Sequence, residues 1–172
     1  LGLKVYEENN VNKEEFLDAL EDALYVSVVI AYAEGMKLLQ VASEEYAYNL
    51  DFSEIARIWE DGCIIRSSLL KPIQQAYQQH DDLINLLVSS QFRDKLKAKV
   101  GGLRKVVRKA KAIGVPALAF NSALDYYDSL RAEEMPANLI QGQRDYFGAH
   151  TYERRDKEGT FHTEWQDIHN II

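Results

Sequence analysis

Apolar residues recur at helical spacing along most of the chain, and glycine and proline are sparse, so the pattern predicts an almost all-helical protein. A first helix is expected to open at Asn12, with Glu15 three residues on in the capping-box position, and to run to about Asn49. At 1.5 Å per residue, about 36 residues span roughly 55 Å. The middle of this helix, ALYVSVVIAYA, is apolar nearly all round, which places it at the centre with other helices packed about it. Asp51 and Glu54 repeat the capping signal for a short helix through Trp59, broken by Gly62. CIIRSSLLKPIQQAYQ begins the next helix, where Pro72 is expected to impose a kink or mark a restart. HDDLINLLVS reads as another short helix, and SSQFRDKLKAKVGGLRKVVRKAKAIG as a long one ended by Gly114 and Pro116. Helices then follow at about 117–134 and from Pro136, taken as the first helical residue, to Phe147. Beyond Gly148, aromatic and β-branched residues flank a DKEG turn, the pattern of a small hairpin or extended tail. The expected fold class is all-α: a multi-helix domain around a long central helix over residues 1–150, then a short extended or hairpin C-terminal tail over 151–172.

Composition fits one domain. A chain of 172 residues, 47% apolar and 27% charged, supports one well-buried core. Its net charge of -7 argues against general nucleic-acid or membrane affinity. The longest apolar run, residues 23–33, falls well short of the roughly 20 residues that cross a bilayer. The single cysteine, Cys63, has no disulfide partner and no companion at metal-ligand spacing; beside Ile64 and Ile65 it reads as buried and inert. A reducing, cytoplasmic setting follows. LGLKVYEENN lacks the basic and apolar regions of a signal peptide, and a start at leucine suits a part of a longer protein.

Candidate chemistry is narrow. Nine lysines or arginines, among them Arg93, Arg104, Arg108 and Lys111, stand between 93 and 111 against one acid, Asp94. Leu96, Val100, Leu103, Val107 and Ala110 repeat at spacings of four and three, so the charges occupy the solvated sides of an amphipathic helix, which the acidic residues of segment 7–22 could offset. The competing reading is a stand-alone interaction module that binds an acidic partner through residues 93–111. Asp125 and Asp128 lack a histidine partner for a metal pair, and no metal site is expected. There is no G-x-G-x-x-G, no P-loop and no G-x-S-x-G elbow. Gly101 and Gly102 lie inside a helical pattern and predict a close helix–helix contact. The polar run NLIQGQRDYFGAHTYE stands apart. On a helix, Asn138, Gln141 and Asp145 share a face. Arg144 could serve the negative helix C-terminus, or its planar fork could grip a phosphate or carboxylate. His150, past the Gly148 break, could donate to the same ligand.

PANLIQGQRDYFGAHTYER followed by GTFHTEW closely resembles the C-terminal signature of decarboxylating 6-phosphogluconate dehydrogenases. DALYVSVVIAYAEGMKLL, IARIWEDGCIIRSSLL and PALAFNSALDYYDSLRAEEMPANLIQ resemble the same family's helical domain in the same order. The resemblance covers practically the whole chain. It implies NADP-linked oxidation of 6-phosphogluconate at its 3-hydroxyl, then decarboxylation and tautomerisation to ribulose 5-phosphate. In such enzymes a Rossmann-type domain holds the dinucleotide, and a lysine and a glutamate act as base and acid. This chain resembles the last third alone, so no catalytic residue is assigned in it and no isolated activity is expected. By the resemblance Arg144 matches an arginine that binds the substrate phosphate, and His150 a histidine that also contacts substrate. Both are supplied across a homodimer interface, with the tail from Thr151 reaching over the partner. Two departures stand out. Glu60 and Asp61 occupy places where relatives often have Arg-Gly, and Gly142 replaces the usual alanine, which should loosen the helix bearing Arg144 by about 1 kcal/mol or less.

Overall fold

The computed structural model describes residues 12–80 and 82–165, so the acidic residues before position 12 and the closing QDIHNII lie outside the described part. The chain forms two compact units, residues 1–128 and 129–172.

The first unit is built on α1 (Lys13–Glu45), about 50 Å long. Its start follows from the sequence: the Asn12 side chain accepts from the amides of Glu14 and Glu15, two donors that the first turn leaves without an intrahelical partner. The helix ends at Glu45, four residues before the expected Asn49, because Ala47 and Asn49 take left-handed backbone conformations that no α-helix continues. Ala23, Val26, Val29, Ile30, Ala33 and Met36 are fully buried on its inner face. The central placement is therefore found, but the helix is not covered all round. Leu17, Leu24, Leu38 and Val41 are all more than half exposed and line an outer stripe at helical spacing.

Next come α2 (Phe52–Ile58) and α3 (Leu70–Gln79), which pack on each other, α4 (Arg93–Ala112), which packs on α1, and α5 (Leu118–Arg131), which runs past residue 128; buried residues of all of them join one apolar cluster. Asp51 caps α2 by accepting from the Glu54 amide at 3.0 Å, as its spacing predicts. Pro72 marks a helix start rather than a kink, since residues 59–69 are not helical and α3 begins at Leu70. It is the third residue of α3, where the missing N–H has no intrahelical acceptor to lose.

The expected helix in HDDLINLLVS is reduced to one 3-10 turn, Leu86–Val88. The Asn85 side chain takes the Leu87 amide at 2.9 Å and the Ser89 hydroxyl donates to the Leu86 carbonyl at 2.8 Å, local bonds that compete with helix propagation. Leu83, Leu86 and Leu87 are buried nonetheless, and the buried Gln40 of α1 donates to the Leu83 carbonyl at 2.8 Å. Cys63 is only partly buried, just before exposed Ile64 and Ile65 in a turn, so burial does not account for it as expected.

The basic helix α4 buries Leu96, Leu103, Val106, Val107 and Ala110 and turns its charges outward. Lys99 pairs with Asp22 and Lys105 with Glu15, both acids on α1, while Arg104 forks onto Asp128, one bond measuring 2.8 Å. Such exposed pairs stabilise little, but they occupy three of the nine cations within the fold. Gly114, with φ of 73°, ends the helix as its sequence position foretells.

The glycine pair divides by face. A Cβ at Gly102 would stand 2.6 Å from Asp22 Cβ and 3.0 Å from the Ala19 carbonyl oxygen, whereas one at Gly101 would meet nothing within 4 Å. The close helix contact therefore belongs to Gly102 alone. Gly102→Ala is expected to lower stability by about 1–3 kcal/mol through overpacking, while Gly101→Ala raises it by roughly 0.5–1 kcal/mol through helix propensity. Denaturant unfolding of the two variants measures both signs.

Candidate functional site

The second unit holds the polar run. Its helix α6 (Asn138–Gly148) begins after Pro136 rather than at it, with Ala137 as N-cap. At the other end Ala149, with φ of 49°, closes the helix in the left-handed region, and its amide donates to the Asp145 carbonyl at 2.9 Å. Thr151 is also left-handed, with φ of 63°, so two non-glycine residues of this kind flank His150. Each costs on the order of 1–2 kcal/mol relative to right-handed backbone, and such geometry persists where other contacts over-determine it.

Those contacts converge on Asp145. Of the three residues predicted to share a face, Asn138 and Gln141 are exposed and Asp145 is completely buried. One carboxylate oxygen accepts from the Thr151 amide and from His162 Nδ1, each at 2.9 Å. The other accepts from the Thr163 amide and from Trp165 Nε1, each also at 2.9 Å. A carboxylate offers about four lone-pair sites, so four donors satisfy it completely. Asp145 lies in the last turn of α6, where the helix dipole disfavours an anion, and full satisfaction offsets both that and the cost of burial.

Burial by itself pushes the Asp145 carboxyl upward. The hydrogen bonds from His162, the Thr163 amide, Trp165 and the Thr151 amide outweigh it and hold the group well below the usual carboxylate range. The reciprocal bond raises His162 above its ordinary 6.5, against some desolvation, with help from the charges of Asp145 and of Glu164, whose carboxylate stands 3.9 Å from Nε2.

The tail folds back to supply these donors. Strands β1 (Tyr152–Glu153) and β2 (Thr160–Phe161) pair antiparallel, Tyr152 opposite Phe161, forming the hairpin expected around DKEG. The Tyr152 hydroxyl meets Thr163 Oγ1 at 2.7 Å. Trp165 packs edge-on to Tyr146 with ring centroids 5.9 Å apart. Its ring would also lie 3.7 Å from a Cβ at Gly142, an ordinary contact. Gly142 thus lies beneath the tail's tryptophan.

Arg144 and His150 are both exposed, and neither side chain makes a hydrogen bond or ion pair with any described residue. They stand at the two sides of the α6 C-terminus, one residue before Asp145 and one before Thr151. The His150 ring lies over Gly148, where a Cβ would come within 2.8 Å of Nε2. Sequence reasoning singled out this pair, but it read Asp145 only as one of three polar residues on a helix face and gave His162 no role. The available signal was an acid in the last turn of a helix, opposed by the dipole, with a histidine and a tryptophan close together in the tail.

Among the described residues no three His, Cys, Asp or Glu side chains gather as a metal cluster. No described helix is long and apolar enough to cross a membrane.

Comparison with known proteins agrees with the resemblance. The family 6-phosphogluconate dehydrogenase, C-terminal domain, matches residues 2–165. The NADP(+)-dependent, decarboxylating 6-phosphogluconate dehydrogenase of Bacillus subtilis is 53% identical over 154 residues, which cover 90% of this chain and 33% of that protein. The decarboxylating 6-phosphogluconate dehydrogenase of Synechococcus elongatus is 47% identical over the same shares of the two chains. Among solved structures, the 6-phosphogluconate dehydrogenase of Plasmodium falciparum, studied apo, with NADP+ and with 6-phosphogluconate, aligns at TM-score 0.86 and 41% identity, covering 94% of this chain and 34% of that one. The chain therefore spans about a third of the length of these relatives.

The two titrations set the pH range of the clasp. Asp145, lowered in the folded state, contributes stability that is present above its ordinary 3.8 and lost as pH falls through its depressed value. His162, raised, contributes stability that is full below 6.5 and lost as pH rises through its elevated value. Protection of the Thr151 and Thr163 amides against hydrogen exchange is expected to peak at about pH 4–6 and to decline on both sides. Protection factors that show no decline either well below pH 4 or well above pH 6 would contradict the assignment.

Proposed function

Because the chain belongs to the 6-phosphogluconate dehydrogenase family, whose C-terminal domain it matches over nearly its full length, we propose that it is the helical domain of an NADP-dependent, decarboxylating enzyme that converts 6-phosphogluconate to ribulose 5-phosphate. In this reading the domain contributes dimerisation and part of the substrate site, in a cytoplasmic homodimer. The observation that carries it is the pair Arg144 and His150, both exposed and without partners among the described residues, on a turn fixed by the buried Asp145.

The chemistry suits the substrate. A guanidinium offers paired N–H donors to a phosphate in a fork that a lysine cannot reproduce. An imidazole past the helix end adds a donor to the phosphate or to a sugar hydroxyl. Neither group is spent on the fold, as Lys99, Arg104 and Lys105 are on α4. The uncovered stripe of Leu17, Leu24, Leu38 and Val41, together with exposed Leu139 and Phe147 on α6, supports burial against further protein, as a dimerising domain of a longer enzyme requires.

The residues present do not fit a dinucleotide. The strands among the described residues form a two-stranded antiparallel hairpin, with no glycine-rich turn leading from a strand into a helix. NADP+ as hydride acceptor, and the base and acid of the reaction, would belong to the rest of the enzyme, and these 172 residues alone should not turn over substrate.

In the full-length enzyme, Arg144→Ala is expected to raise KM for 6-phosphogluconate by roughly ten- to a hundredfold, corresponding to loss of one charge-assisted contact of about 1.5–3 kcal/mol, with KM for NADP+ little changed. An unaltered substrate KM would remove the phosphate role. Gly148→Ala should also raise the substrate KM, by displacing the His150 ring, at little cost in thermal stability, since a side-chain tip is what must move. Steady-state kinetics and a melting curve test both halves of that expectation.

A further inference from the structure

The turn carrying His150 is held in a conformation that ordinary residues avoid, and a single residue holds it twice. The Asp145 carbonyl takes the Ala149 amide and the Asp145 carboxylate takes the Thr151 amide, both at 2.9 Å, so the residues on either side of His150 are tied to one point. The remaining acceptor sites of that carboxylate are filled from the tail, by His162, Thr163 and Trp165. Asp145 itself is sealed and cannot touch a ligand. Its neighbour Arg144 and the tethered His150 are the groups left facing solvent.

We propose that Asp145 is a positioning residue for the substrate site, holding His150 in register with Arg144 by fixing the turn between them, with His162 as its counter-anchor in the tail. The proposal rests on the reading of Arg144 and His150 as substrate contacts. The Thr151 amide follows His150 directly, whereas His162, Thr163 and Trp165 lie further along the tail. Here the carboxylate is shared between that amide and the tail, so tail docking and His150 placement become one event. The groups facing the clasp are few. His162 lies against Asp145 on one side of its ring and 3.9 Å from Glu164 on the other, and the remaining donors are two backbone amides and an indole, which do not titrate in this range.

The test uses the full-length enzyme and separates the two KM values. Asp145→Asn keeps the size of the side chain but turns one acceptor into a donor aimed at other donors. Its KM for 6-phosphogluconate is expected to rise about tenfold while KM for NADP+ stays within about twofold of the parent. His162→Ala should raise the substrate KM in the same selective way. His162→Asn, whose amide nitrogen can stand where Nδ1 donates, should restore it. A folded Asp145→Asn enzyme with the parent's substrate KM, beside an Arg144→Ala enzyme whose KM has risen, overturns the positioning role and leaves the substrate reading intact. If Asp145→Asn does not fold, the histidine pair decides: a raised KM rescued by asparagine supports the role, and two parental values overturn it. An Arg144→Ala enzyme with unchanged KM removes the substrate reading and this proposal with it.

Discussion

Four donors meeting one buried carboxylate is the constraint from which the second unit takes its form. An isolated ionised acid cannot be buried without large cost, and near a helix C-terminus the cost is greater still. Asp145 is tolerable there because each oxygen receives two N–H groups, so removing any one leaves a lone pair unsatisfied in a dry place. The tail cannot drift without exposing that debt, and the turn after α6 cannot relax out of its left-handed conformation without breaking the same set. Arg144 and His150 inherit their placement from this arrangement rather than from contacts of their own.

The first unit is organised by a different physical effect. Its helices are held by apolar burial along the inner face of α1 and by the close approach that Gly102 permits next to Ala19 and Asp22. Ion pairs between α1 and α4 decorate that contact and neutralise part of the basic helix. What remains uncovered is as informative as what is packed, since a leucine stripe at helical spacing on the same helix is a surface with the chemistry of a core.

Helix identity was largely legible from residues alone because capping and periodicity are local. Asn12 and Asp51 cap as their side chains predict, and Gly114 ends α4. The errors arose where side chains compete with backbone or where a breaker falls in a first turn. Asn85 and Ser89 replaced a helix by a 3-10 turn, and the helix expected from Cys63 starts only at Leu70, with Pro72 in its first turn. The paired glycines were recognised as a contact, but which one made it depends on the rotation of α4 against α1, which no local rule supplies. At the candidate site, Arg144 and His150 are singled out by the resemblance, and both are exposed. Asp145 was misread as one of three equivalent polar residues, because its donors lie 6, 17, 18 and 20 residues further along. Gly142 looked like a loss of helix stability until Trp165 was found above it.

That order along the chain has a temporal meaning. A polypeptide leaving the ribosome presents α6 well before the indole and imidazole that close over it, so for an interval Asp145 is a hydrated acid at a fraying helix end. The His150 turn has no reason to hold its left-handed shape during that interval. Maturation of this corner is therefore deferred until synthesis has passed Trp165, and a transcript cut short even a dozen codons before that point would yield a helical body with the turn around His150 unformed.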